Sequence, residues 1–535
     1  MSTHTADVVV VGSGGAALVA ACAAADAGRD VVVLERSPLL GGTTAVSGGM
    51  LWIGAHPLTD EAGFTDSREE TLTYLQAVTR GETDPRLLTA FVDSGPELVR
   101  YLRDDTPVEL FPIDRPDYNA LWPGGKQGGR VLDNRPFDTA AYPGLHGRVR
   151  RSPHFPPLTY EERHRWRWPE RFDADLIERR RREGVRTLGD ALAAGLVAAA
   201  DERGVHFETR VRVTDLRHRG DRIAGVIAVD DGGRATVWEA GVGVVLAAGG
   251  FEWNPQMTRS FLRGPAVTSV SPPWNTGDTL IMGMRTGAAL ELLSEAWWAP
   301  TIQVPGETYD DRPMSRHIVD DLSLPGTILV NRGGQRFTDE SVNYNDISKL
   351  FHVFDPSLYD YPHTPAWMVF DDRAKQRYAL ATVPPTAPAP DWFHPSDSLA
   401  ELGARIGVDP VGLAGTVEHF NRDAAEGVDR QFHRGETPLG RYYGDDEHGP
   451  NPCLAPLATP PYYAVEILPG LLGTKGGLRT DADGRVVDHA GNTIPGLFAA
   501  GNTAASAMGP GYPGAGGSLG PLLTHGLRCG RAVSG

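Results

Sequence analysis

The chain has 535 residues, 41% hydrophobic and 22% charged, with a formal net charge of −17 at pH 7. That is the make-up of a globular protein of about two domains, and the acidic balance argues against nucleic acid or anionic membranes as partners. Three cysteines lie far apart and outside any C-x-x-C pattern, which points to reduced, buried thiols and a cytoplasmic location.

Residues 7–11 (DVVVV) form a β-branched run typical of a buried strand. It breaks into Gly12-Ser13-Gly14-Gly15-Ala16-Ala17, the G-x-G-x-x-A form of the dinucleotide fingerprint. Gly12 permits the tight turn, Gly14 lets the backbone approach a pyrophosphate, and Ala17 lets the helix sit close to the sheet. The helix runs through residues 20–26 and stops at Gly28. Residues 31–34 make the next strand, and Glu35, with Arg36 beside it, follows where a carboxylate suits ribose hydroxyls. Gly41-Gly42-Thr43-Thr44 and Ser47-Gly48-Gly49 then bring glycines and hydroxyls back towards the same phosphates, a second loop that nicotinamide enzymes do not need. Residues 8–25 are apolar enough to suggest a signal or span, but they contain the glycine loop and follow no basic segment, so neither is expected.

Residues 67–104 have helical periodicity, punctuated by Gly81 and Pro85, with Pro96 near an expected helix start. Residues 105–172 are rich in Pro, Gly, Arg and aromatics, and a long irregular segment of that kind often lines a site. Arg165-Trp166-Arg167-Trp168 reads as surface packing or a gate. One long helix is expected over 174–202, strands over 205–213, 222–229 and 241–248, and a helix over 279–288. From about 290 the pattern changes to a mixed α+β domain, with a proline-rich loop at 380–395 and a helix at 409–426. A strand at 462–468 is expected to return to the cofactor domain, and a helix at 518–533 closes the chain. No metal-ligand cluster, Walker loop or nucleophile elbow appears, so the difficult chemical step falls to a cofactor.

The second glycine loop resembles the FAD-binding loops of the fumarate reductase and succinate dehydrogenase flavoprotein superfamily. More specifically, the chain resembles the 3-ketosteroid Δ1-dehydrogenases nearly end to end. The resemblance is carried by DVVVVGSGGAAL, GGTTAVSGG, DYNALWPGG, VVLAAGGFEWN, NTGD, VNRGGQRFTDES, PYYAVEILPGLLGTKGGL and GLFAAGNTAASAMGPGYPGAGGSLGP. It implies an α/β fold: a Rossmann-like FAD-binding domain over 1–289, with a helical insertion at about 60–200, an inserted α+β substrate domain over 290–461, and a return over 462–535. FAD is expected to be non-covalent, because Thr43 and Thr44 occupy the region where covalent members carry a histidine. Further FAD contacts are expected from Val211, from Ala248-Gly249-Gly250, from Asn275, Gly277 and Asp278, and from Gly501-Asn502 and Ser518-Leu519.

The same resemblance gives Tyr344 the role of base, taking the α proton while the flavin takes the hydride. It makes Tyr118 the tyrosine that renders Tyr344 more basic, and Tyr512 (hydroxyl) and Gly516 (backbone N–H) the pair that holds the carbonyl. Physically, a C–H next to a ketone becomes acidic only if the enolate oxygen is held, and each donor there is worth about 3 kcal/mol. Tyrosine ionises near pH ~10, so it needs help to act as a base. Dicarboxylate reductases of the superfamily use arginine where Tyr344 stands and histidine where Lys475 stands, so a pocket without a guanidinium, suited to a 3-ketosteroid or similar polycyclic enone, is expected. The glycine-rich GPGYPGAGG and Ala120-Leu121-Trp122 depart from the steroid enzymes' pattern and leave a non-steroid cyclic ketone open. A quinone or another acceptor would reoxidise the flavin. A flavin-linked enone or fumarate-type reductase remains the alternative, and a flavin-binding protein without turnover a third reading.

Overall fold

The computed structural model describes residues 2–265 and 268–535. Its first layer is a twisted, mainly parallel sheet built on β1 (Ser2–Val11), α1 (Gly15–Asp26) and β2 (Val31–Glu35). β1 lies between β2 and the strand Ala235–Leu246, both parallel to it, with Val8 opposite Val31 and Val10 opposite Val245. His206–Thr209 extends the sheet beyond β2, and Thr493–Ala499 extends it on the other side. The valines of β1 and β2 are fully buried on both faces, which is why this run carries no alternation. The closing helix Leu519–Ser534 crosses α1 at very short range, because Gly526 and Gly530 sit against the backbone of Ala16 and Ala20. A Cβ at Gly530 would stand 2.3 Å from the Ala20 carbonyl oxygen, so any larger residue would force the helices apart.

A second sheet carries Arg312–His317, Ala296–Tyr309, Tyr462–Thr474, Ala366–Asp371 and Thr327–Val330 in that order. The strand expected to rejoin the cofactor domain at 462 therefore lies at the centre of this sheet, antiparallel to both neighbours. Its residues Tyr463, Ala464, Val465 and Ile467 are buried against the second domain's core, and the chain re-enters the first sheet only at Arg485–Val487 and Thr493–Ala499. A third, three-stranded sheet, Leu51–Trp52, Val131–Asn134 and Leu110–Ile113, brings the loop containing Tyr118 towards the cofactor domain.

Three further sequence expectations are corrected. Pro96 lies inside the helix Pro85–Asp105, which begins at the Asp84 cap with Pro85 in its first turn. One lost backbone hydrogen bond at Pro96 is outweighed by an apolar stripe, Leu88, Phe91, Val92, Leu98, Val99 and Leu102, that is buried along the helix. The helix expected over 174–202 is two, Ala174–Glu183 and Leu188–Glu202. Between them Arg186 exchanges two 2.8 Å backbone hydrogen bonds with Phe137, which the helix could not have offered. The strand expected over 205–213 divides at Arg210 (φ +61°), with its first half in the parallel sheet and Val211–Arg219 in a hairpin with Arg222–Asp230. No helix among the described residues is long and apolar enough to cross a membrane.

Candidate active site

A cavity of about 570 Å³ runs from the C-terminal ends of β1 and β2 to the junction of the two large sheets. Its first half is the nucleotide cradle. Gly12 (φ +102°) packs so tightly on Ala247 that a Cβ would stand 2.5 Å from the carbonyl oxygen. Gly14, in contrast, has no protein atom within 4 Å of the place a Cβ would take. It precedes α1, whose first turn carries no acidic residue and whose residues Gly15, Ala16 and Ala17 line the cavity, so the positive end of the helix lies at its wall. Glu35 accepts from the Ser13 amide at 3.0 Å, from the Ser13 hydroxyl at 2.7 Å and from the Ser37 amide at 2.7 Å, which ties the loop to the end of β2. The Gly15 amide donates to Thr44 Oγ1 at 3.0 Å, and so joins the two glycine loops. Arg36 contacts Thr276 and Asp278, and Asp278 also pairs with Arg212.

Most of the expected cofactor residues line this wall: Ser13, Ala16 and Ala17; Gly42, Thr43, Ser47, Gly48 and Gly49; Val211; Ala248 and Gly249; Asn275 and Gly277; Gly501 and Asn502; Ser518 and Leu519. Two do not. Gly41 lies behind the wall, its amide bonded to Ser13, and Gly250 is pressed on Thr474, whose Oγ1 would stand 2.0 Å from a Cβ. Both buttress the cradle. Sequence reasoning missed Glu252, in the quoted GGFEWN, which is buried and held protonated more readily than usual by that burial. Its Oε1 accepts from Asn275 Nδ2 at 2.7 Å and from Ser271 at 2.8 Å, while Asn275 also donates to Thr43. An open glycine turn and a helix N-terminus as donors, with an accepting carboxylate at the end of β2, form a set that fits FAD.

The second half of the cavity is aromatic. Tyr118, Tyr344 and Tyr512 form a triangle with ring centroids 5.4–5.6 Å apart, each pair edge to face. Tyr344 opens the short helix Tyr344–Leu350, capped by Asn343, and its hydroxyl donates to that of Tyr512 at 3.1 Å. Burial lifts Tyr344 and Tyr118 well above the ordinary tyrosine range and raises Tyr512 too. The Tyr118 hydroxyl is buried without a hydrogen-bond partner among the described residues, and its nearness to Tyr344 works in the opposite direction, towards the phenolate. Gly516 (φ +85°) is pressed on Met50, its carbonyl accepts from Trp52, and its amide has no partner among the described residues.

The loop carrying Tyr512 is fastened to the loop carrying Tyr118. Pro513 accepts from the Tyr118 amide at 3.0 Å and from the Tyr74 hydroxyl at 2.6 Å. Asp117 accepts from Trp52 Nε1 and from Arg130, and Arg130 also pairs with Asp66 at 2.6 Å. Behind the loop, the buried Lys475 donates to the Gly511 carbonyl at 2.8 Å, and desolvation pulls it down to about 7. None of this brace was read from the sequence, because Asp66, Asp117 and Arg130 meet only in three dimensions.

The expectation of a pocket without a guanidinium does not hold. Arg115 lies in the cavity wall, 6% exposed, among Tyr160, Tyr442 and Tyr443. It belongs to the irregular segment foreseen as site-lining, but nothing in the local sequence says which way it turns. Arg167 and Trp168 line the same cavity, while Arg165 and Trp166 do not.

The FAD binding domain family profile matches residues 7–519. The chain is 42% identical, over 99% of its length and 93% of the relative's, to a 4-oxocyclohexanecarboxylate 2-dehydrogenase of Sinomonas cyclohexanicum. It is 35% identical, over 98% of both chains, to a 3-oxosteroid 1-dehydrogenase of Mycobacterium tuberculosis. Among solved structures it is similar to a 3-ketosteroid delta1-dehydrogenase from Sterolibacterium denitrificans in complex with 1,4-androstadiene-3,17-dione, with a TM-score of 0.91, 37% identity and 99% of each chain covered. The chain therefore belongs to the FAD binding domain family and is an FAD-dependent oxidoreductase of the 3-oxosteroid 1-dehydrogenase type.

Proposed function

We propose that the protein desaturates a cyclic ketone at the carbon–carbon bond next to its carbonyl. The observation that carries this reading is the hydroxyl pair of Tyr344 and Tyr512, 3.1 Å apart, in the cavity that also holds the nucleotide cradle. Tyr512, through its hydroxyl, and Gly516, through its amide, hold the carbonyl oxygen and stabilise it as it takes on enolate charge. Tyr344 removes the proton from the α carbon, and Tyr118 supports the phenolate this requires. The bound FAD supplies the acceptor for the β hydride, and a quinone or another external acceptor takes the electrons onward. Burial among aromatic rings keeps water from the reacting carbons. The substrates named for the relatives, a 4-oxocyclohexanecarboxylate and 3-oxosteroids, share a ring ketone, and that is the class proposed here. We place the reaction in the cytoplasm.

Anaerobic mixing of the yellow holoenzyme with ring ketones tests the reading. Bleaching of the flavin by a saturated ketone, with release of the enone, is expected for the wild type. Tyr344→Phe is expected to retain FAD and to bleach about 10³-fold more slowly, within the range of a lost general base. A wild type that stays yellow with every ketone but oxidises a reduced donor when offered an enone would overturn the direction proposed.

A further inference from the structure

Arg115 is a buried cation without a counter-ion. Its guanidinium lies 5.4, 5.2 and 5.5 Å from the ring centroids of Tyr160, Tyr442 and Tyr443. Nη2 donates to the Tyr443 hydroxyl at 2.8 Å, and Nη1 makes a weak 3.7 Å contact with Met50 Sδ. Nε has no partner, and no aspartate or glutamate of the described residues pairs with the group. A guanidinium has five N–H donors, so most of its capacity is unused. The tyrosine faces hold the planar group in place and offset part of its desolvation, but they accept no hydrogen bonds in its plane.

The rest of the wall points the same way. Arg163 and Arg167 line the cavity beside Arg115, and neither pairs with a carboxylate among the described residues, although Arg167 donates to the carbonyls of Tyr442 and Gly444. The cavity's carboxylates Glu35 and Asp278 are engaged in the cradle, and Asp321 accepts from the Ala381 amide. Asp320 also lines the cavity, near enough to Tyr160, Tyr442 and Tyr443 to raise all three, and forms no ion pair with Arg115. In a chain of net charge −17, a buried guanidinium with unused donors, flanked by two more arginines without carboxylate partners, makes this wall a site for an anion. Arg115 is three residues before Tyr118 and touches the Met50 side chain, while Gly516 rests on the Met50 backbone, so the anion would lie on the same side of the cavity as the carbonyl-holding pair. A neutral polycyclic ketone would leave this charge buried and unmatched.

We propose that Arg115, with the Tyr443 hydroxyl, binds a carboxylate on the substrate, so that the substrate class is a small cyclic keto acid rather than a steroid. This rests on the desaturation reading above and names the substrate of that same site. Arg115 is a binding residue here, and the chemistry remains with Tyr344.

The holoenzyme is to be assayed with 4-oxocyclohexanecarboxylate, its methyl ester and 4-androstene-3,17-dione, in the wild type and in Arg115→Gln and Arg115→Lys. We expect kcat/KM for the acid to exceed that for the ester by about 100-fold, the size of a charge-assisted pair, with the steroid slower still. In Arg115→Gln the acid-to-ester ratio falls to near one, chiefly through KM, and Arg115→Lys recovers part of it. Cyclohexanecarboxylate, which lacks the ketone, is expected to compete with the keto acid and to perturb the flavin spectrum of the wild type, a readout independent of any variant's folding. An equal rate on acid and ester, a preference for the steroid, a ratio unchanged in Arg115→Gln, or no binding of cyclohexanecarboxylate overturns the carboxylate site while leaving desaturation standing. A yellow enzyme bleached by none of the three ketones overturns the desaturation reading, and this proposal with it.

Discussion

The hydroxyl of Tyr344 donates to the hydroxyl of Tyr512, 168 residues away, at 3.1 Å. One of these phenols stands at the head of a short helix packed on the second sheet, and the other in a glycine-rich loop that leads into the closing helix of the first. The bond thus spans the two large sheets, and the reaction proposed above requires both of its ends.

Because burial raises Tyr344 well above the usual tyrosine range, its base form is scarce at neutral pH. The rate should therefore climb with pH and keep climbing into the alkaline range. Tyr118→Phe removes the group that favours the phenolate, so the rising limb should move to still higher pH, with about a tenfold loss at fixed pH for each pKa unit. A kcat/KM profile from pH 6 to 10 on both proteins checks this, and coincident profiles would remove Tyr118 from the mechanism.

Tyr512→Phe takes one donor from the carbonyl oxygen and should lower kcat by about 10²-fold while leaving the fold intact. Gly516→Ala should do more. It places a Cβ 2.5 Å from the Met50 carbonyl oxygen at a φ of +85°, so the loop must move. Steady-state kinetics and thermal melts together separate the two cases: Tyr512→Phe is expected to melt like the wild type, Gly516→Ala at lower temperature.

Arg130 is 1% exposed and pairs with the carboxylates of Asp66 and Asp117, whose side chains are 2% and 1% exposed. Arg130→Met leaves two carboxylates without their cation and should cost about 3–5 kcal/mol of stability. Asp117 also holds Trp52 Nε1 and adjoins the Tyr118–Pro513 bond, so turnover should fall with stability. Denaturant titration followed by assay at low temperature tests both effects.

At Gly14 an added methyl meets no protein atom within 4 Å, and the backbone conformation (φ −67°) suits any residue. Gly14→Ala should therefore fold and melt normally as apoprotein, yet bind FAD more weakly, because the methyl enters the space the pyrophosphate would use. Acid precipitation of the wild type should release all of the yellow colour, as expected of non-covalent FAD. Colour retained in the pellet would contradict that.

His56, His154, His317 and His352 are all pushed down to about 4 by burial. An unfolded histidine takes a proton near pH ~6.5, so between about 6.5 and 4 the unfolded chain binds more protons at these sites, and stability falls as pH drops through that window. Asp117 and Asp321, raised to about 6, and Asp133, raised to about 7, act in the opposite sense over the same range. Replacing His317 by Gln should make the slope of unfolding free energy against pH shallower by one proton's worth between 6.5 and 4, whatever its effect on absolute stability. Denaturant melts at a series of pH values measure it.

The dinucleotide cradle was legible in the chain because its parts are local. A strand, a glycine turn, a helix and an acid follow each other within thirty residues or so, and the backbone rules at Gly12 and Gly14 hold wherever that run occurs. The three tyrosines could be named in advance because each lies in its own recognisable segment. What the linear order left undecided is what meets what. The pairing of Tyr462–Thr474 with two strands of the second sheet, the helix that runs through Pro96, the Arg130 brace and the inward turn of Arg115 all depend on long-range contacts that outweigh local preference. An arginine in an irregular, proline-rich segment carries no periodicity to say whether it faces water. Three tyrosine faces and the Tyr443 hydroxyl hold Arg115 in the cavity wall, and they come together only when the chain has folded.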